Sequence, residues 1–299
     1  MAASSKQSIG LKLGLAVLVL VALAFVALFS LGPSKSSEAL PVPSQPQPDF
    51  LDLLTDAPTG EAMVAFKAVA PGSFAELDSV AARAIAGGAD AQDVSHLVLE
   101  ALFSQFQAQA GAVKASSSDQ FQIIVAELAT GLHQLKASDS DWCNGATVAE
   151  FLAQNDSDLA PSLLAEFPYQ SPQYNWAMGW MVTILGAARE GQTEPRRYTR
   201  PTFRDEAVLQ QEGLALGSEQ WALGLQIASF ANSEGTSYAQ MQDVISSMNV
   251  CDLGIAVETV SGRLPEDVRG RIWSDLLPEI MIGNTPYVIY RVNDYFFIG

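Results

Sequence analysis

The stretch YNWAMGWMVTILGAA, Tyr174 to Ala188, decides how this chain folds. It is the most apolar run after residue 50, and Arg189 closes it. Trp176 and Trp180 lie four positions apart and so share a helix face, with Gly179 leaving room for a close neighbour. At about 1.5 Å per residue the stretch reaches only ~22 Å, short of the ~30 Å core of a bilayer. The reading is a buried central helix that needs other helices around it.

Those helices are legible on both sides. Phe74 to Ala86 carries Phe74, Leu77, Val80, Ala81 and Ile85 at helical spacing, and Gly87-Gly88 ends it. From about Ala91 to Val113, Val94, Leu97, Val98, Leu102 and Phe106 form an apolar stripe. Asp119 or a neighbouring serine is placed to cap a third helix through Phe121, Ile124, Val125, Leu128, Leu132 and Leu135. Together the three predict an antiparallel helical layer. Asp139 to Gly145 reads as a polar turn around Trp142 and Cys143, followed by a short helix through Val148, Phe151 and Leu152. Further helices are expected from Ser218 to Ala231 and from about Ser237 to Met248. The period then changes: Tyr287 to Val292 is β-branched and aromatic, Asn293-Asp294 is turn-like, and Tyr295 to Ile298 resumes, predicting a terminal β-hairpin.

The beginning of the chain has another character. Leu13 to Gly32 is twenty residues without a charge, long enough for one membrane crossing. Ala22-Leu23-Ala24 resembles a signal-peptidase site, but Phe25 to Phe29 continue the apolar run, so retention as an anchor is expected. Lys6, Lys12 and the amino terminus favour a cytoplasmic residue 1–12 segment. Residues 33–49 hold Pro33, Pro41, Pro43, Pro46 and Pro48 and read as a Pro/Ser-rich linker. The expected fold class is therefore mainly α: an N-terminal single transmembrane helix, a Pro-rich tether, and a multi-helix domain over 50–299 ending in a short β-hairpin. A division of that domain into two halves near 195–215 is left open. The likeness of Cys143-Asn-Gly-Ala-Thr-Val and Cys251-Asp-Leu-Gly-Ile-Ala-Val is a faint sign of duplication.

Charge and cysteine usage narrow the setting. The 33 acidic and 16 basic residues give a formal net charge of −17, which disfavours nucleic acid as a partner. Cys143 and Cys251 are the whole complement and are expected to pair in an oxidising compartment. Localisation in a bacterial inner membrane, single pass, with the C-terminal domain in the periplasm, is the expected address.

Candidate chemistry is sparse. Arg196, Arg197, Arg200 and Arg204 fall within nine positions, interleaved with Tyr198. Guanidinium groups bind carboxylate or phosphate and tyrosine stacks, so these five residues form a possible anion or partner site. Glu194, Asp205 and Glu206 lie close enough in sequence to neutralise them internally. His96 and His133 are read as structural positions on helix faces, without a zinc motif. No catalytic residue, cofactor site or metal site is assigned, because there is no GxSxG elbow and no phosphate-binding glycine loop. The expected role is protein–protein interaction, as an adaptor, accessory subunit or holdase of an envelope complex, with glycan or peptide carboxylates as further ligands. The alternative is an envelope glycan hydrolase with paired carboxylates, for which Asp205 and Glu206 are the nearest candidates to the arginines.

Overall fold

A computed structural model describes residues 49–152, 165–217 and 246–284, together with residues 219, 222, 287, 288 and 291. The transmembrane segment 13–32, the tether up to residue 48, most of the two helices expected between Ser218 and Met248, and the last eight residues lie outside them. Among the described residues the chain is mainly helical, with ten α-helices and no strand. These are α1 (Ala57–Val69), α2 (Pro71–Ala86), α3 (Ala91–Ala108), α4 (Ala110–Val113), α5 (Ser118–Ala137), α6 (Gly145–Leu152), α7 (Pro172–Thr193), α8 (Phe203–Leu216), α9 (Val250–Arg263) and α10 (Glu266–Met281). None of them is long and apolar enough to cross a membrane.

The central helix is α7. Its start is set by Ser171, whose hydroxyl accepts from the Tyr174 N–H, and by Pro172 in the first turn. Tyr174, Ala177, Met178, Met181, Leu185 and Ala188 are fully buried between α1, α4 and α5. The shared face of Trp176 and Trp180 is turned onto α5, where the indole N–H groups donate to the Glu127 carbonyl at 2.9 Å and the Ile124 carbonyl at 3.2 Å. Buried indoles need such partners, and carbonyls of a packed helix supply them here. The close approach expected at Gly179 occurs at Gly131 of α5, where an added Cβ would overlap the Trp176 ring. At the other end, the Tyr174 hydroxyl and Thr59 of α1 are 2.7 Å apart in a buried hydrogen bond.

Local signals account for most helix boundaries. Asp56, Asp90, Ser117, Thr202 and Asn249 each cap the helix that follows by accepting a backbone N–H, and Asp90 and Thr202 form full capping boxes. The helix expected from Ala91 to Val113 is broken at Gln109, whose ψ of 1° ends α3 and turns α4 toward the end of α7. There Gly191 lies so close to the Ala112 carbonyl that no Cβ would fit. A tertiary contact thus overrides a continuous local pattern.

Helices α9 and α10 complete the body by packing along α5, and α10 also meets α4. Ala256, Val260, Ile272, Leu276, Ile280 and Met281 join the same buried cluster as Phe50, Phe66, Leu102 and Trp180, so segments on both sides of 195–215 contribute to it. Cys143 and Cys251 are disulfide-bonded with their Cα atoms 5.0 Å apart, and they close a separation of 108 residues. In the chain-entropy picture such a loop stabilises by about 4–5 kcal/mol. Asn144 and Asn249 pair in an antiparallel bridge, and each side-chain oxygen accepts an N–H in the turn that follows, from Ala146 and Asp252.

The expected hairpin is not seen at its described positions, and most of it lies outside the described residues. Tyr287, Val288 and Arg291 are helical. Tyr287 and Arg291, one helical turn apart, both donate to the Asp275 carboxylate at 2.9 Å. An extended strand would separate those two donors, so a shared acceptor on α10 outweighs β propensity.

Candidate functional site

The five residues singled out in the sequence lie on the strap that joins α7 to α8, residues 194–202, and in the first turn of α8. The strap is irregular in backbone but anchored. The Arg196 N–H donates to the Ala115 carbonyl at 2.7 Å. Tyr198 turns inward: its hydroxyl donates to the Ser116 carbonyl at 3.1 Å, and its ring lies 5.9 Å from that of Phe121. Gly270 of α10 receives the other edge of the ring, and a Cβ there would overlap it. Burial pushes the Tyr198 hydroxyl above its ordinary range, against the opposing charge of Arg196. This tyrosine therefore anchors the strap.

The arginines do the opposite. Arg196, Arg197, Arg200 and Arg204 are all exposed. Arg196 has a long ion pair with Glu190, at 3.9 Å, while among the described residues Arg197, Arg200 and Arg204 form no ion pair. Arg204 also sits in the first turn of α8, where the helix dipole favours acidic side chains. Its charge opposes that local preference.

Of the acids expected to neutralise these residues, Asp205 is engaged elsewhere. Asp205 is 2% exposed and accepts from both the backbone N–H and the hydroxyl of Thr202, at 2.7 and 2.8 Å. It also takes a two-pronged contact from Arg271 of α10, at 2.9 Å from Nε and 2.6 Å from the terminal nitrogen. Burial alone would raise the Asp205 carboxyl, but the hydrogen bonds from Arg271 and Thr202 outweigh it and hold the group below the usual aspartate range. Glu206 is buried beside it. A carboxylate held ionised, with both oxygens occupied, is unsuited to the acid role in the pair considered with Glu206.

Two features of this region are not marked by apolar periodicity or by a motif. Arg271 is the residue that takes Asp205 away from the strap, and its pairing with Asp267 one turn earlier, at 2.8 Å, is the visible trace of it. Phe203 and Leu214 are each 72% exposed on α8. Eleven positions at about 100° per residue place them within about 20° of each other around the helix. The hydrophobic periodicity of α8 is incomplete, because its buried positions are Asp205, Glu206, Leu209 and Gly213, with Val208 and Leu216 half-buried against the core.

The two histidines lie on different helices. His96 on α3 is half-buried with Nε2 2.6 Å from the Gln92 amide nitrogen, and Gln92 accepts the Tyr169 N–H through its oxygen at 2.7 Å. Since Tyr169 only donates there, the Gln92 nitrogen faces His96 and donates to it. His133 is exposed on α5. No family model, curated protein or solved structure matches the chain.

Proposed function

We propose that this chain is a single-pass inner-membrane protein, anchored by residues 13–32 and spaced from the bilayer by the proline-rich tether, whose helical domain works in the periplasm by binding another envelope protein. It serves there as an adaptor, accessory subunit or holdase. The observation that carries the reading is the set of exposed guanidinium groups of Arg197, Arg200 and Arg204, which form no ion pair among the described residues, on an anchored strap and the helix turn that follows it. Cationic side chains that neither neutralise a neighbour nor stabilise a helix end are available to a partner. Support for the compartment comes from the cysteine pair at disulfide distance, which suits oxidising surroundings. The uncharged twenty-residue run from Leu13 to Gly32 supports the anchor.

The test is co-purification of the full-length protein from its native membranes in mild detergent, beside a form with all four arginines replaced by serine. A stoichiometric protein partner that is lost in the substituted form is the expected result. Recovery of the chain alone, in a preparation that preserves other envelope complexes, would overturn the reading and turn attention to cell-wall glycans.

A further inference from the structure

We propose that the strap and the outer face of α8 form one docking surface for an acidic segment of a partner protein that carries apolar side chains among its carboxylates. The proposal rests on the protein-binding reading above and names the chemistry of the segment bound. Four of the thirteen basic residues after position 49 lie in this one region, on a domain with 31 acidic residues. Charge complementarity therefore selects an acidic ligand here and repels it from most of the remaining surface. The arginines are strung along the chain on both sides of the inward anchor Tyr198. A lone phosphate needs donors gathered around a point, whereas a row of cations matches several carboxylates along one segment.

The apolar component follows from α8. Phe203 sits between Arg200 and Arg204 in sequence with 72% of its surface exposed, and Leu214 is equally exposed on the same face. The two are about 16 Å apart along the helix axis at ~1.5 Å per residue. A segment that follows the strap and continues along α8 brings an apolar side chain to each. The anchoring of the strap through the Arg196 N–H, the Tyr198 hydroxyl and the Thr202 cap reduces the ordering that binding requires.

The experiment is an unbiased selection of random 16-residue displayed peptides on the full-length chain held in a neutral phosphatidylcholine nanodisc. On a surface of this net charge, nonspecific enrichment favours basic peptides, so an enriched acidic class is informative. The expected result is a class with several Asp or Glu residues and at least one Leu, Phe or Trp. A fluorescent member of that class should lose at least tenfold in affinity on the Arg196→Ser, Arg197→Ser, Arg200→Ser, Arg204→Ser chain. It should also lose at least fivefold on the Phe203→Ser, Leu214→Ser chain, both with unchanged thermal midpoints. Enrichment of basic or neutral peptides only, or acidic peptides indifferent to either variant, would overturn the proposal. Displacement by millimolar inorganic phosphate at constant ionic strength would assign the surface to a single anion instead. Displacement by phosphatidylglycerol vesicles, but not phosphatidylcholine vesicles, would assign it to lipid. If co-purification yields a partner lost in the arginine variant while no acidic peptide binds, the function stands and this ligand class falls. If acidic peptides bind while the chain purifies alone, the surface stands and the function reading falls.

Discussion

Two groups of arginines on neighbouring elements behave differently. On α10, Arg269 donates to Ser118 at 2.9 Å and pairs with Asp119 at 3.2 Å, while Arg271 grips Asp205 with two nitrogens. On the strap and the first turn of α8, Arg197, Arg200 and Arg204 form no ion pair with an acid among the described residues. The α10 arginines fasten α10 to α5 and α8, and so belong to the fold. Their neighbours decorate a surface whose backbone is held by other groups. The difference shows that local acid–base proximity in sequence is a poor guide to pairing: Arg204 and Asp205 are adjacent, yet Asp205 is claimed by a residue 66 positions away.

The contrast should appear most strongly in stability. Replacing Arg271 with Met leaves the Asp205 carboxylate buried without its main partner, and the expected cost is about 3 kcal/mol or more by urea denaturation. The double replacement Asp205→Asn, Arg271→Met should recover a large part of that loss. Additive losses would remove the claim that the two act as a pair.

A second, smaller effect joins the two groups through Tyr198. Gly270→Ala on α10 pushes a methyl group into the Tyr198 ring, with an expected destabilisation of about 1–3 kcal/mol from overpacking. It should also weaken capture of the partner although no arginine is touched. Unchanged binding would mean that anchoring of the strap is irrelevant to it. Tyr198→Phe removes only the hydrogen bond to the Ser116 carbonyl, for a cost of about 1 kcal/mol.

The pH dependence follows from Asp205. Its folded pKa lies below the unfolded value, so its contribution is fully present above the ordinary aspartate pKa of about 3.9 and is lost as pH falls through the lower folded value. Denaturant midpoints measured downward from pH 5 should fall less steeply in Asp205→Asn than in the parent. Parallel curves would show that this carboxyl is not shifted. The smallest change is expected from serine at Arg197, Arg200 or Arg204 singly, each within about 0.5 kcal/mol of the parent in stability. A larger loss at any of them would reveal a structural role and narrow the binding surface.

How much of this was legible in the chain depends on the kind of evidence. The burial of Trp176, Trp180 and Ile184 follows from an uncharged run too short for a membrane, and the start of α5 follows from a serine beside Asp119, which is Ser117. Gly87-Gly88 ended α2 as read. By contrast, α1, α8, α9 and α10 were not identified from pattern. In α8 the inward positions include Asp205 and Glu206, which no apolar periodicity registers. The exposed Phe203 and Leu214 further blur its two faces. The arginine cluster was visible as a count of residue types, but which of its members pair with an acid was not.

By itself, the sequence determined that the domain is helical, that a single apolar helix forms its centre, and that one region of an acidic chain is rich in arginine. Short-range physics suffices for these, since periodicity, caps and charge counts are written along the chain. Only the tertiary structure decided that Gln109 breaks a continuous stripe, that Tyr287 and Arg291 are helical, and that Asp205 serves Arg271. Each depends on a partner brought near by folding, and the free energy of a buried contact then exceeds the local preference it overrides.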